Sequence, residues 1–265
     1  MMQNKTDFYV DFHTHLDLYD QAELYSQLDK FNGLIVASSL DGESYKKNLE
    51  IAGKYKNIIP TFGIHPSKVL SVLSESEDLH RFDSYLEQSP LIGEIGMDLC
   101  WYKDASVEQQ EYVLRYFLEH CNRTGKYCVI HTKDAETQIS RILLDYPEAK
   151  PVIHWYDGPQ NIYMDFIERD YYFTFGCETC RSEHIQKLLK ITPVNRILAE
   201  TDNPESEPWL GGTDSSVMLI KRVYVDIAKA LGFSELKTAQ EINRNSLDAL
   251  DSMLLTKNNY SHKFV

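Results

Sequence analysis

Short apolar runs recur along the chain, and longer amphipathic stretches separate them. Each run is four or five residues long, and its apolar residues do not alternate with polar ones. This pattern is typical of strands that are buried on both faces of a parallel sheet. It predicts eight strands, at Tyr9–Phe12, Leu34–Ser38, Ile58–Phe62, Leu91–Ile95, Tyr127–His131, Pro151–His154, Tyr171–Phe175 and Arg196–Ala199.

The stretches between these runs have the spacing of amphipathic helices. In residues 107–124 the apolar positions include Val107, Leu114 and Leu118, which follow a period nearer 3.6 than 2. Gly125 follows directly, where the C-terminal cap of a helix favours glycine. Helices are predicted at Ser44–Tyr55, Val107–Thr124, Ala135–Leu144, Ser182–Leu189, Ser215–Leu231 and Ser234–Leu254.

Eight strands that alternate with helices favour an α/β fold, specifically a closed (β/α)8 TIM barrel. An open, doubly wound sheet is the alternative. The 265 residues suit a single barrel domain, which we expect to span residues 1–256, followed by a polar C-terminal tail at 257–265. In such barrels the active site lies at the carboxyl ends of the strands.

Composition narrows the possible partners and the compartment. The net charge of -13 argues against a protein that coats long duplex DNA, so a nucleic-acid substrate would be a short stretch or an end. The five cysteines are scattered, which favours reduced thiols in the cytoplasm. No apolar run approaches the length of about 18 residues that a membrane span needs, and we expect a monomer without a membrane partner.

Six candidate metal ligands close the apolar runs, and all lie at predicted carboxyl ends of strands. They are His13, His15, Glu94, His131, His154 and Asp202. In a barrel, these side chains would converge on one mouth although they are spread over most of the sequence. Four imidazoles and two carboxylates would hold two divalent ions, such as Mg, Mn or Zn, if one carboxylate bridges them. Paired ions of this kind are the usual device for hydrolysing phosphate esters.

Each candidate ligand, taken alone, could have a structural role instead of binding metal. His13 and His15 could be satisfied by backbone carbonyls, and Asp202 could be a turn residue before Asn203. Glu94 lies in an apolar strand, where a carboxylate is costly without a cation or an ion pair. The convergence of all six favours the metal site. Cys177 and Cys180 form one C-x-x-C pair, which we interpret as incidental thiols because one pair cannot close a zinc site.

The motifs around these residues resemble those of the TatD-type metal-dependent deoxyribonucleases, a branch of the amidohydrolase-like barrels. The matching segments are VDFHTHLD (10–17), TFGIHP (61–66), IGEIGMD (92–98), VIHTKDA (129–135), VIHWYDG (152–158) and LAETDNP (198–204). The resemblance implies that His13, His15, Glu94 and Asp202 hold one metal. Glu94, His131 and His154 would hold the other. His65 would lie beside the substrate phosphate.

The chain departs from the family pattern in loops on the substrate side of the site. Thr132 follows the histidine of the fifth strand where arginine is common, and WYDG follows His154 where CFSG is common. Aromatic and basic residues follow several strands on this face and could stack unpaired bases or hold phosphates, or simply pack the loops. The candidates for substrate binding, besides His65, are Trp101, Lys133, Trp155, Tyr156 and Arg181, with Trp209 in a third loop.

The sequence therefore predicts a metal-dependent hydrolase with Asp202 and Glu94 as catalytic residues. The favoured substrate is DNA, cut as a 3′-end-directed exonuclease or a single-strand phosphodiesterase. The alternatives are hydrolysis of a small ester or amide, deacylation of charged tRNA, or a subunit of a multi-protein defence system. The fourth strand offers Glu94 and no lysine, which disfavours the commonest binuclear amidohydrolase site, where a carbamylated lysine bridges the metals.

Overall fold

Eight parallel strands alternate with helices in the computed structural model, which describes residues 7–254. The strands are β1 (Tyr9–Thr14), β2 (Gly33–Ala37), β3 (Ile58–Pro60), β4 (Ile92–Gly96), β5 (Tyr127–His131), β6 (Lys150–Ile153), β7 (Tyr172–Phe175) and β8 (Ile197–Ala199). All eight predicted strands are present. The predicted tail and the boundary at residue 256 lie outside the described residues.

The helices fall between the strands and after the last one. They are α1 (Gln21–Leu28), α2 (Gly42–Lys54), α3 (Val69–Glu75), α4 (Asp83–Gln88), α5 (Val107–Thr124), α6 (Glu136–Ile142), α7 (Gln160–Glu168), α8 (Glu183–Ile191), α9 (Ser206–Trp209), α10 (Ile220–Leu231) and α11 (Glu235–Leu254). The predicted bounds of α5 are confirmed: Ser106 and Gln109 form a capping box at its start, and Gly125 ends it with a φ of 64°. No described helix is both long and apolar enough to cross a membrane.

The strands pair in sequence order, in two sheets that adjoin at both ends. Strands β1 to β3 form one sheet and β4 to β8 the other. An isolated bridge joins Phe62 to Ile92 between β3 and β4. Beyond β8, the backbone N–H of Asp202 donates to the carbonyl of His13 at 2.9 Å, and that of His15 donates to Asn203 at 2.9 Å. Three predicted metal ligands, His13, His15 and Asp202, therefore take part in the junction between the last strand and the first.

Alternate strand residues point to opposite sides, and this places the site. Val129, Val152 and Leu198 pack with one another inside the ring of strands, whereas their neighbours pack against the helices. His131 and His154 lie two residues beyond Val129 and Val152, so they point to the same interior. The pairing register shifts between Asp11 and Thr14 of β1 and between Ile92 and Ile95 of β4. Irregularities of this kind re-aim side chains, and both occur next to predicted ligands.

The strands β4 and β5 approach so closely that Gly96 cannot carry a side chain. A Cβ atom on Gly96 would lie 2.0 Å from the carbonyl oxygen of His131, and its φ of 149° disfavours other residues. We therefore expect Gly96→Ala to lower the free energy of unfolding by about 2–3 kcal/mol through backbone strain and overpacking. Chemical denaturation would measure the loss.

Gly53 in α2 provides the matched control, because a Cβ atom there has no neighbour within 4 Å. We expect Gly53→Ala to leave the protein equally or more stable, by up to about 1 kcal/mol, since alanine favours a helix. Equal effects of the two substitutions would show that β4 and β5 can separate without cost.

Candidate metal centre

Four candidate ligand atoms lie close together at the carboxyl ends of the barrel strands. Nε2 of His13 lies 3.3 Å from Nε2 of His15, and the two nitrogens lie 3.3 and 3.5 Å from Oε2 of Glu94. Oδ1 of Asp202 completes the group, at 3.4 Å from His13 and 3.2 Å from His15. Residues from the ends of three strands therefore share one small volume.

The spacing and chemistry of these atoms fit a divalent cation. Bonds of about 2.0–2.2 Å in a tetrahedral arrangement place the ligand atoms about 3.4 Å apart. The five distances given above lie between 3.2 and 3.5 Å. The side chain of His13 is fully buried and that of Glu94 is 2 % exposed, so little water reaches either group. A mixed set of nitrogen and oxygen ligands suits Zn, Mn, Fe or Co, and tolerates Mg.

The second oxygen of Glu94 faces a different set of histidines. Oε1 lies 3.0 Å from Nδ1 of His131 and 3.8 Å from Nε2 of His154. Nε2 of His65 is also near this oxygen, at 3.6 Å. Nε2 of His154 lies 3.9 Å from Oδ2 of Asp202. The two carboxylate oxygens of Glu94 thus belong to two separate groups of ligand atoms.

The charges of the site suit a bound cation. Burial alone would raise the pKa of Glu94, but His65 and His13 lower it well below its ordinary value. Burial would lower the pKa of His13, and the carboxylates of Glu94 and Asp202 raise it well above that value instead. Burial would also lower the pKa of His131, but the carboxylates of Asp98 and Glu94 raise it to about 9. Without metal, protons on the imidazoles balance the carboxylates, and metal binding would displace these protons.

Two carboxylates that sequence reasoning did not single out orient the histidines. Oε2 of Glu200 lies 2.7 Å from Nδ1 of His154, and Oδ2 of Asp98 lies 3.0 Å from Nε2 of His131. Both carboxylates are fully buried. A carboxylate on the second ring nitrogen fixes the direction in which the first nitrogen points. Their positions beside ligands, at the ends of β4 and β8, were the signal that could have identified them.

A cavity of about 350 Å³ opens above the ligands. Of the predicted substrate residues, His65, Trp101, Lys133 and Trp155 line it. Burial lowers the pKa of His65 to about 3, so the ring is neutral. The backbone N–H of Ser67 donates to its Nδ1 at 3.2 Å, which leaves the proton on Nε2, the nitrogen that faces Glu94.

The other two predicted substrate residues, Tyr156 and Arg181, are not part of the cavity wall. Tyr156 is 3 % exposed, and its hydroxyl donates to the carbonyl of Pro159. Arg181 donates through both terminal nitrogens to the buried carboxylate of Glu207, at 2.6 and 2.7 Å. Both side chains are engaged within the protein, and direct substrate contact by Tyr156 and Arg181 stays a prediction. Tyr156 packs beneath its loop, and Arg181 anchors a neighbouring helix.

The arrangement of ligands agrees with the sequence family of the chain. The family profile described as TatD related DNase matches residues 10–251. The chain belongs to this family. Because the profile covers nearly the whole barrel, the resemblance suggested by the sequence motifs is confirmed.

Individual relatives of this TatD-family protein agree with the assignment. An uncharacterized metal-dependent hydrolase, YcfH of Escherichia coli strain K12, is 26 % identical and covers 94 % of this chain and 98 % of its own. The human deoxyribonuclease TATDN3 is 26 % identical over 76 % of this chain and 82 % of its own. The crystal structure of YJJV, a TatD homolog from Escherichia coli K12, superimposes with a TM-score of 0.80 at 20 % identity, covering 92 % of this chain and 98 % of its own.

These similarities confirm the predicted fold class and the broad function. The protein is a metal-dependent hydrolase of the TatD family that acts on ester bonds, built on an α/β fold with parallel strands in barrel order. The described residues hold clusters of histidine and glutamate that could bind metal, including His13, His15 and Glu94.

The contact between Glu200 and His154 predicts the effect of a conservative substitution. Glu200→Gln keeps the side-chain shape but removes the charge that stabilises the orientation of His154. We expect metal affinity to fall about tenfold, as measured by competition with a chelator of known affinity. Glu205→Gln is the matched control, because Glu205 is an exposed residue that lines the same cavity. Equal affinities of the two variants would contradict a positioning role for Glu200.

Proposed function

We propose that this protein is a binuclear deoxyribonuclease that removes nucleotides from accessible DNA ends, with the 3′ end as the expected direction. The observation that carries the proposal is the Glu94 carboxylate, whose two oxygens face separate groups of ligand atoms. That geometry suits a bridge between two divalent ions. In such sites, the ions activate water and neutralise charge on the phosphate.

The protein groups around the centre have distinct roles in the proposed reaction. His13, His15 and Asp202 would hold one ion, His131 and His154 would hold the other, and Glu94 would serve both groups. The side chain of Asp202 is 20 % exposed, against 2 % for Glu94, so Asp202 is the carboxylate that entering water meets. It accepts a proton from the water as the water oxygen attacks phosphorus and the P–O bond to the leaving 3′ oxygen breaks, and that oxygen takes up a proton from solvent. The neutral Nε2–H of His65 donates to a phosphate oxygen and orients the substrate.

A second candidate function is hydrolysis of a small ester or amide. Lys133 is the one lysine or arginine of the described cavity wall, and its Nζ is bound to Asp157 at 2.5 Å. The wall therefore has no free cationic side chain to track a nucleic-acid backbone. A panel of p-nitrophenyl esters, aminoacyl-tRNA and amides, compared with oligonucleotides at equal metal concentration, distinguishes the two functions.

The cysteines support a reducing compartment. All five are free thiols, at Cys100, Cys121, Cys128, Cys177 and Cys180. A protein that matures in an oxidising compartment commonly pairs its cysteines. We therefore propose a cytoplasmic location.

Variants of the ligands test the binuclear centre. Elemental analysis of wild-type protein should approach two ions per chain. Because Glu94 serves both groups, Glu94→Gln should lower the occupancy of both ions and cut turnover at least about 100-fold, with an unchanged circular dichroism spectrum. His131→Asn alters only the second group and should leave about one ion per chain.

Chelation provides the complementary measurement. Removal of metal should abolish hydrolysis, and Mn or Mg should restore it. Two retained ions and a full rate in Glu94→Gln would show that Glu94 does not bridge. Full activity in the metal-free protein would exclude the mechanism altogether.

The acidic surface and the paired state of Lys133 predict a preference for free ends. Linear single-stranded DNA should be shortened from its 3′ terminus faster than blunt duplex, and closed circular duplex should stay intact. Gel analysis of oligonucleotides labelled at either end measures both the rate and the direction. Each phosphate contacted in a single strand adds roughly 0.7 to the slope of log KM against log salt concentration. We expect about two such contacts and therefore a slope of at most about 1.5.

Two results would contradict this preference. Rapid cutting of closed circles would refute recognition of ends. A steep salt dependence, equivalent to about six phosphate contacts or more, would reveal an extended electrostatic groove that the cavity wall does not provide.

A further inference from the structure

The three tryptophans of the chain meet at the mouth of the cavity, although they come from loops after β4, β6 and β8. Trp209 lies between the other two, with its ring centroid 5.6 Å from that of Trp101 and 6.1 Å from that of Trp155. The ring planes cross at 71° and 83°. We call these three residues the aromatic corner. All three line the same cavity as the metal-ligand candidates.

The members of the aromatic corner differ in how far they are already engaged. Trp155 is half-buried, and its indole N–H donates to Glu178 at 2.5 Å. Its backbone N–H also donates to Glu200, at 3.2 Å. Trp101 and Trp209 are 50 % and 62 % exposed. Exposure of two large rings side by side is unfavourable in water, and such patches mark binding sites.

Trp209 is exposed but firmly held, because the helix that carries it is anchored at its base. Glu207 of α9 is 2 % exposed and accepts hydrogen bonds from Arg181 and, at 2.9 Å, from Arg222. The hydroxyl of Ser206 donates to the carbonyl of Thr201 at 2.6 Å. An aromatic ring fixed before the ligand arrives loses little conformational entropy on binding. The anchored helix therefore fixes the backbone that carries Trp209, and the edge contacts with Trp101 and Trp155 orient its ring.

We propose that Trp209 and Trp101 bind the unpaired nucleobase of the nucleotide whose phosphate lies at the metal centre. This inference rests on the proposed function, since it assumes a nucleotide substrate. The cavity is small for a ligand site, and it joins the ligands on its floor to the aromatic corner at its mouth. One nucleotide spans that arrangement, with its phosphate below and its base above. Stacking tolerates any base, because every base has a π face.

Lys133 lies in the cavity wall, but neighbouring residues already engage its charge. Its Nζ lies 5.1 Å from the centre of the Trp101 ring as well as bonding Asp157. The cation is therefore shared within the wall and is not free for a phosphate. Among the described residues of the cavity wall, Trp101 and Trp209 are the most exposed aromatic rings, and they offer the stacking surface for the part of the substrate beyond the metal centre.

The inference is tested with two ligands that differ only by the base. Deoxyadenosine 5′-monophosphate and 2-deoxyribose 5-phosphate carry the same phosphate, and calorimetry on the metal-loaded protein gives the Kd of each. The nucleotide should bind wild-type protein about tenfold or more tightly than the sugar phosphate. Trp209→Ala should weaken nucleotide binding about tenfold, equivalent to about 1.4 kcal/mol, and change sugar-phosphate binding less than twofold.

Two further variants control for general effects on the fold. Trp209→Phe keeps an aromatic ring and should retain most of the difference between the two ligands. Tyr112→Ala removes a ring that is 51 % exposed on α5 and does not line the cavity, so it should change neither Kd. Circular dichroism of each variant confirms an intact fold.

The outcomes separate this inference from the proposed function. Equal affinity of wild-type protein for the two ligands, or equal weakening of both in Trp209→Ala, overturns base recognition by the aromatic corner. DNA hydrolysis by wild-type protein is measured independently. Its absence, with base-dependent binding retained, overturns the deoxyribonuclease proposal and leaves a nucleotide-binding hydrolase site.

Discussion

The buried carboxylate of Glu94 is the constraint on which the rest of the site depends. A negative charge that is 2 % exposed inside a barrel is unfavourable unless cationic or hydrogen-bonding groups surround it. Five histidines lie within 4 Å of its oxygens. Gly96 allows the neighbouring strand to approach closely enough for His131 to be one of them. The structure therefore surrounds one buried acid with histidines. Either a bound cation or protons on these histidines neutralise its negative charge.

The same residues join the last strand to the first and build the site, so stability and function are coupled in this fold. Asp202 bonds to the backbone of His13, and Thr201 donates to the buried carboxylate of Asp11 at 3.0 Å through its N–H and at 2.6 Å through its hydroxyl. Asp202 has a φ of 54°, a conformation that non-glycine residues rarely adopt. These contacts hold the strained residue in place. A change that opened the junction between β8 and β1 would also separate the ligands of the first group.

Sequence periodicity predicted those features of the fold that follow from the alternation of side chains along a strand. His131 and His154 end regular strands, so alternation of side chains placed both correctly. The register shifts in β1 and β4 were not predictable, because they depend on how neighbouring strands pair. The hydrogen-bond partners of buried side chains were not predictable either. Asp98 and Glu200 contact histidines on other strands, and no local sequence pattern indicates such contacts. The ion pair of Arg181 was not predictable for the same reason, since its partner Glu207 lies 26 residues away.

The candidate metal ligands and the aromatic corner proposed to bind the base come from different parts of the chain. The candidate ligands lie at or next to strand ends, where the ring of strands fixes them, while the aromatic corner belongs to loops after β4, β6 and β8. A loop can change without moving a strand, so substrate choice can diverge while the metal centre persists. The net charge of -13 acts only close to the protein surface, because charges are screened beyond about 8 Å at physiological salt. A long polyanion places more negative charges within that distance than one nucleotide does, so it is repelled more strongly, in agreement with the proposed preference for accessible ends.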